Sequence, residues 1–213
     1  LKFFGPQHWW PVSHHARDQR QAQLEIAVGA VLTQNTSWKN VERAIAALFA
    51  ADLMDAARLR DLPESKLAEV IRPAGTFRVK AKRLKALMHH LWAHHTGRLD
   101  GLGDGELAAV RDELLTVHGI GPETADAILL YAVGRPTFVV DAYTRRILRR
   151  HGWIQPDAPY VEIQRLFHQA LPQAPEVYNE CHALMVELAK RHCRTKAHCA
   201  GCPLEDLPHD ERG

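Results

Sequence analysis

Residues 115–150, LTVHGIGPETADAILLYAVGRPTFVVDAYTRRILRR, carry more structural information than any other segment of the chain. A helix bearing Leu107, Val110, Leu114 and Leu115 runs into this segment and ends near Val117. Gly119-Ile120-Gly121-Pro122 then turns the chain into a second helix. Gly119 and Gly121 permit backbone conformations and close approaches denied to residues with a Cβ. Pro122 suits the first turn of a helix, where its missing N–H costs nothing. Ile120 is the apolar pin between the two helices. The free N–H groups and dipole at the start of the second helix make an anion site, fit for a DNA phosphate in a contact blind to base sequence. A helix–helix turn without any ligand has the same local pattern, so the turn alone does not assign a function. Downstream, Phe138-Val139-Val140 leads into Asp141 and a basic helix through Arg150. A carboxylate at the edge of an apolar run is partly desolvated, which makes it costly and chemically useful. Asp141 is also placed to cap the helix that follows, and the two roles are compatible.

Outward from this segment the chain reads as helices. Leu24, Ala27, Val28, Val31 and Leu32 recur at helical spacing, as do Val41, Ala44, Ile45 and Leu48. Residues 55–60, 64–72, 78–95, 105–117, 123–133, 142–150, 160–170 and 175–191 read the same way. Breaks fall at Pro63, Pro73-Ala74-Gly75, 101–105, 119–122, 134–136 and 156–159. No strand alternation, repeat or low-complexity tract is present, so the expected class is all-α, built from short packed helices. Apolar residues make up 46% and charged residues 24% of 213, ordinary for a globular chain, and no apolar run is long enough to span a bilayer. No secretory leader opens the sequence, and the cytoplasm is the expected location. The net charge of +2 does not by itself argue for nucleic acid. The clustering is more informative: Lys80, Lys82, Arg83 and Lys85; Arg145, Arg146, Arg149 and Arg150; Arg191, Arg194 and Lys196. Such clusters neutralise phosphates or simply form solvated helix faces. The paired histidines His14-His15, His89-His90 and His94-His95 have metal-like proximity and are read as ordinary surface residues.

The span 23–150 resembles the helix-hairpin-helix Gly/Pro/Asp superfamily, to which endonuclease III belongs. Gly119-Ile120-Gly121 matches its hairpin and Val139-Val140-Asp141 its catalytic aspartate segment. Leu32-Thr33-Gln34-Asn35-Thr36 matches the segment whose glutamine enters the base stack. The resemblance implies a DNA glycosylase of base excision repair, acting as a monomer on double-stranded DNA that contains a damaged base. It implies that Asp141 is catalytic, that Gly119, Ile120, Gly121, Lys80, Lys82 and Arg145 meet phosphates, and that Gln34 fills the gap left by an extruded base. In the endonuclease III pattern the second hairpin helix begins with a lysine that forms a Schiff base; here Glu123 stands at that position. A carboxylate cannot form a Schiff base, so the expected enzyme is monofunctional, with water as nucleophile. Trp9-Trp10-Pro11, Arg72-Pro73-Ala74-Gly75-Thr76-Phe77 and Glu123 itself resemble the 3-methyladenine DNA glycosylase III branch. That branch implies a base pocket near Trp9, Trp10, Pro11 and Trp38, where a cationic methylated purine would gain stacking and cation–π attraction. The tryptophans could equally be packing anchors for a terminal segment. Other readings are an endonuclease III-like enzyme for oxidised pyrimidines and a DNA-binding hairpin protein without catalysis.

All four cysteines, Cys181, Cys193, Cys199 and Cys202, lie in the last sixth of the chain. Cys193-x5-Cys199-x2-Cys202 has metal-ligand spacing. The resemblance implies a [4Fe-4S] cluster here, but the family spacing C-x6-C-x2-C-x5-C is not met, and Pro208 occupies the fourth position. The fourth ligand is then Cys181, about 18 Å upstream along a continuous helix, or one of Asp206, His209 and Asp210, unless the site holds zinc or no metal. The favoured set is three cysteines and one non-cysteine ligand, with Cys181 a buried helix residue and Arg194 and Lys196 of the loop meeting phosphates. Two helical lobes are expected, 22–133 with the hairpin and 1–21 joined to 134–213 with Asp141 and the cysteines, the aspartate lying in a cleft between them.

Overall fold

The protein is described by a computed structural model over residues 1–10, 12, 13 and 15–210. Ten α-helices and no strand are found among the described residues: α1 (Gln19–Leu32), α2 (Trp38–Ala50), α3 (Ala56–Asp61), α4 (Glu64–Val70), α5 (Phe77–His95), α6 (Leu107–Leu115), α7 (Pro122–Ala127), α8 (Ala142–Arg150), α9 (Tyr160–Ala170) and α10 (Pro175–Arg191). The chain divides into two compact units, Val12–Arg135 and Leu1–Pro11 with Pro136–Gly213. No helix of the described residues is long and apolar enough to cross a membrane.

In the first unit α1 is the central helix. All nine residues from Leu24 to Leu32 are buried, so it is covered on every side rather than along one stripe. Asp18 starts it by accepting the Gln21 N–H at 2.8 Å. α1 packs on α2, α5 and α7, and on the π-helical stretch Ile128–Val133 that continues α7. Gly134 ends that stretch at φ 76°, a left-handed stop that favours glycine. The 3-10 turn Arg72–Ala74 separates α4 from α5 at the break expected around Pro73-Ala74-Gly75, and α4 ends at Val70, just short of the expected 72; Pro73 removes a backbone donor within the turn.

In the second unit the segment 136–140 is non-helical, and its residues 137–140 are buried. Phe138 stacks on Phe167 of α9, with ring centroids 3.7 Å apart. Its polar backbone is satisfied by α9 side chains: Gln164 Nε2 donates to the Phe138 carbonyl (2.8 Å), His168 Nε2 accepts the Phe138 N–H (3.0 Å) and the Tyr160 hydroxyl accepts the Val140 N–H (3.2 Å). Pairing of this kind is what lets a non-helical backbone enter a core. α8 packs on α10.

Candidate active site

The hairpin is built by α6, the turn 116–121 and α7. Gly119 sits at φ 84°, and a Cβ there would come within 2.6 Å of Arg83 Cδ, so conformation and space both exclude a side chain. Gly121 is different: its φ of −96° is open to any residue, and a Cβ on it would meet nothing within 4 Å. The expectation of special backbone freedom therefore holds for Gly119 alone; Gly121 leaves open space at the start of α7. Pro122 is the first helical residue. Ile120 is buried between the helices. A bidentate ion pair ties the two helices, with Arg111 Nε and Nη2 at 2.8 and 3.0 Å from the fully buried Asp126 carboxylate.

Gln34 lies against this turn. Its Nε2 donates to the Gly119 carbonyl (3.1 Å) and Thr124 Oγ1 (2.9 Å), and its Oε1 accepts from Arg83 Nη1. Arg83 was read only as one member of a basic cluster, and Thr124 was not singled out; nothing in their spacing marks them as partners, because both reach Gln34 only through the folded packing. Trp38 is half-buried at the first position of α2, Glu123 is exposed at the second position of α7, and Lys82 is exposed on α5. Lys80 corrects an expectation. It is 1% exposed, and its ammonium donates to the carbonyls of Leu32 (2.8 Å) and Ala74 (2.7 Å). Burial, with Arg83 nearby, pulls its pKa down to about 8. Lys80 ties α5 to the ends of two other elements and is withheld from phosphate.

Asp141 is the N-cap of α8 and accepts the Thr144 N–H at 2.7 Å. His182 of α10 stands beside it, Nε2 to Oδ2 3.6 Å, and both side chains are largely covered. Burial alone would raise the Asp141 carboxyl. The neighbouring His182 imidazole, with the Thr144 N–H, outweighs it and holds the carboxyl below its ordinary value. The aspartate is therefore largely covered, oriented and held as a carboxylate at neutral pH. His182, itself 5% exposed, is the residue sequence reasoning missed; it lies on a helix far along the chain, and no local pattern announces it.

The basic helix is mostly turned inward. Arg145 Nη1 donates to the Ala158 carbonyl (2.7 Å), and Arg146 Nε to the Cys193 carbonyl (2.7 Å). Arg150 donates to the carbonyls of Arg194 (2.6 Å) and Thr195 (2.8 Å) and to Cys193 Sγ (3.3 Å). Only Arg149 of the four is fully exposed. The half-buried Arg145, expected as a phosphate contact, thus spends one donor inside its own unit. α8 grips the cysteine loop instead.

Trp9 and Trp10 are half-buried, their rings edge to face at 5.7 Å, with Lys190 Nζ 5.5 Å from the Trp9 ring centre. The Gln7 N–H donates to Glu180 of α10 (3.0 Å), which fastens this terminal segment. Pro11 and His14 lie outside the described residues.

Cys193, Cys199 and Cys202 line one small cavity with His209 and Asp210, over Leu188 and Leu204. Cys181 is not in that lining; it is a residue of α10, and burial pushes its thiol up to about 11. Asp206 is not in the lining either. The donor set suits an iron–sulfur group in its chemistry: three soft sulfur donors share one cavity lining with an imidazole and a carboxylate, and the Arg150 guanidinium faces the Cys193 sulfur.

A family model described as "HhH-GPD superfamily base excision DNA repair protein" matches residues 28–173. The "Putative DNA repair glycosylase MJ1434" of Methanocaldococcus jannaschii is 45% identical over 209 residues, 97% of this chain and 91% of the relative. The Helicobacter pylori 3-methyladenine DNA glycosylase bound to 1,N6-ethenoadenine superposes with a TM-score of 0.73 at 29% identity, covering 87% of this chain and 89% of that one. A non-covalent endonuclease III–DNA complex superposes at 0.74 and 25% identity, covering 92% and 86%.

Proposed function

The chain belongs to the HhH-GPD superfamily of base excision DNA repair proteins, and from that premise we propose that it is a monofunctional DNA glycosylase that hydrolyses the N-glycosidic bond of an alkylated purine. The observation that carries the reading is the largely covered Asp141 carboxylate, capped by the Thr144 N–H and flanked by His182. As the bond between C1′ and the base nitrogen breaks, its electron pair leaves with the base and positive charge grows on the sugar. A fixed carboxylate in a poorly solvated site stabilises that charge strongly. Water adds to C1′, and its proton passes to the carboxylate or to solvent. An N3- or N7-alkylated purine is already cationic and departs as a neutral base, so no acid is needed at the leaving group.

Glu123 supports the monofunctional assignment, since the residue at the head of α7 offers no amine for a Schiff base. The aromatic pair Trp9 and Trp10 offers faces for a flipped cationic base. Gln34, already seated on the hairpin turn, is suited to fill the vacated stack, and the open approach at Gly121 and the exposed Lys82 suit phosphate. The Helicobacter pylori neighbour, described with an etheno-modified adenine, supports a purine with added carbon. Cys193, Cys199 and Cys202, with His209 or Asp210, would hold a [4Fe-4S] cluster. Bound there, the cluster would fix the loop that carries Arg194 and Lys196 for phosphate contact.

Labelled duplexes containing 3-methyladenine or thymine glycol test this reading. Strand breaks that appear only after alkali, on the methylated duplex, are the expected result. Breaks without alkali on the thymine glycol duplex would establish an endonuclease III-like lyase instead.

A further inference from the structure

Two histidines of α5 and a glutamate of α6 meet away from everything assigned so far. His90 Nε2 lies 2.7 Å and His95 Nε2 2.6 Å from the same oxygen, Glu113 Oε1. Among the described residues this is the one group of three histidine, cysteine or acidic side chains whose ligand atoms all lie within 4.8 Å of one another. The side chains are 11%, 13% and 30% exposed, so the two imidazoles are covered and the carboxylate opens to solvent. The sequence reading of these histidine pairs as surface residues is therefore half right: His89 and His94 are exposed, and their neighbours face inward.

We propose that His90, His95 and Glu113 bind a divalent transition metal ion of the zinc class. Two imidazole nitrogens and a carboxylate oxygen suit such an ion rather than magnesium or calcium, which prefer oxygen alone. Tetrahedral zinc at about 2.0–2.1 Å from each ligand sets ligand atoms about 3.3 Å apart. Each ring nitrogen would retreat from the Glu113 oxygen by about 0.6 Å to admit it, with solvent in the fourth position. The rings are prepared for that geometry. A Cβ on Gly101 would lie 2.9 Å from His95 Nδ1, so a glycine there gives the imidazole its seat, and the His94 ring flanks His90 at 4.6 Å. The ion would staple α5 to the first helix of the hairpin at one end, while Arg83 of α5 already braces the hairpin turn at the other.

Cobalt(II) is the probe, titrated into tag-free, cluster-loaded protein and competed with zinc. Wild-type protein is expected to bind one equivalent with visible d–d absorption and no sulfur-to-metal charge transfer. Glu113→Gln and His90→Gln should each weaken that binding by at least about 100-fold, since even outer-shell losses cost 10–100-fold, whereas Cys199→Ser should keep it. Equal cobalt binding in wild type and both variants, or a spectrum that vanishes in Cys199→Ser, would overturn the proposal. A second readout needs no variant: zinc should shield His90 and His95 of wild-type protein from imidazole acylation while the exposed His94 still reacts. Unchanged labelling of all three would also overturn it.

Discussion

At the residue scale, Asp141 has two opposing influences on its charge. Burial favours the neutral acid; His182 and the Thr144 N–H favour the carboxylate and prevail. Its folded pKa is thus below the ordinary 3.8. Ionised Asp141 consequently favours the folded state above that pH, and the contribution disappears as pH falls through the lowered folded value. Urea unfolding of wild type and Asp141→Asn should show their stability difference shrinking below about pH 4; a constant difference down to pH 2 would contradict the depressed carboxyl. Removing His182 leaves burial opposed only by Thr144, so His182→Ala should move the acid limb of the base-release profile to higher pH. The setting of Asp141 was legible because it is local: an apolar run, an acid that caps, a helix. His182 was not, since a histidine 41 residues away reaches the acid only through the packing of α8 on α10. Lys80 misled for the same reason. A charge cluster in sequence does not say which member faces inward, and Lys80 alone of its cluster is fully buried.

At the scale of elements, the hairpin rests on a few replaceable contacts. Gly119→Ala forces an alanine to a left-handed φ against Arg83 and should cost about 1–3 kcal/mol in urea unfolding; a neutral effect would mean the turn relaxes freely. Asp126→Ala removes the buried carboxylate that pairs with Arg111 across α6 and α7 and should cost about 3 kcal/mol, read as a lowered unfolding midpoint with an unchanged slope. The helices themselves were legible from period and punctuation. The 160–170 and 175–191 segments coincide with α9 and α10, each bounded by proline at one end. What periodicity did not reveal is the non-helical, buried run 137–140, because its partners are side chains of α9 rather than another strand. The inward turn of Arg145, Arg146 and Arg150 was also hidden, since the loop they grip lies more than forty residues on for two of them.

At the scale of the whole molecule, the fold class and the family follow from motifs that sit in order along the chain: Gln34, the hairpin, Asp141. The cysteine loop was legible only in outline, because ligand spacing is a statement about three residues and the fourth donor depends on how the chain returns. That return brings His209 and Asp210 to the cavity, where the Asp210 N–H donates to the Arg150 carbonyl at 2.7 Å. Iron and sulfide content after purification should therefore fall in Cys199→Ser and remain in Cys181→Ala; loss in the latter would return Cys181 to the ligand set. The most direct measurement is single-turnover base release from a 3-methyladenine duplex by wild type and Asp141→Asn, with duplex affinity determined for both. Asparagine keeps the helix cap and removes only the charge. The assignment predicts equal affinity and a rate of base release lower by about 100-fold or more; near wild-type release by Asp141→Asn would contradict it.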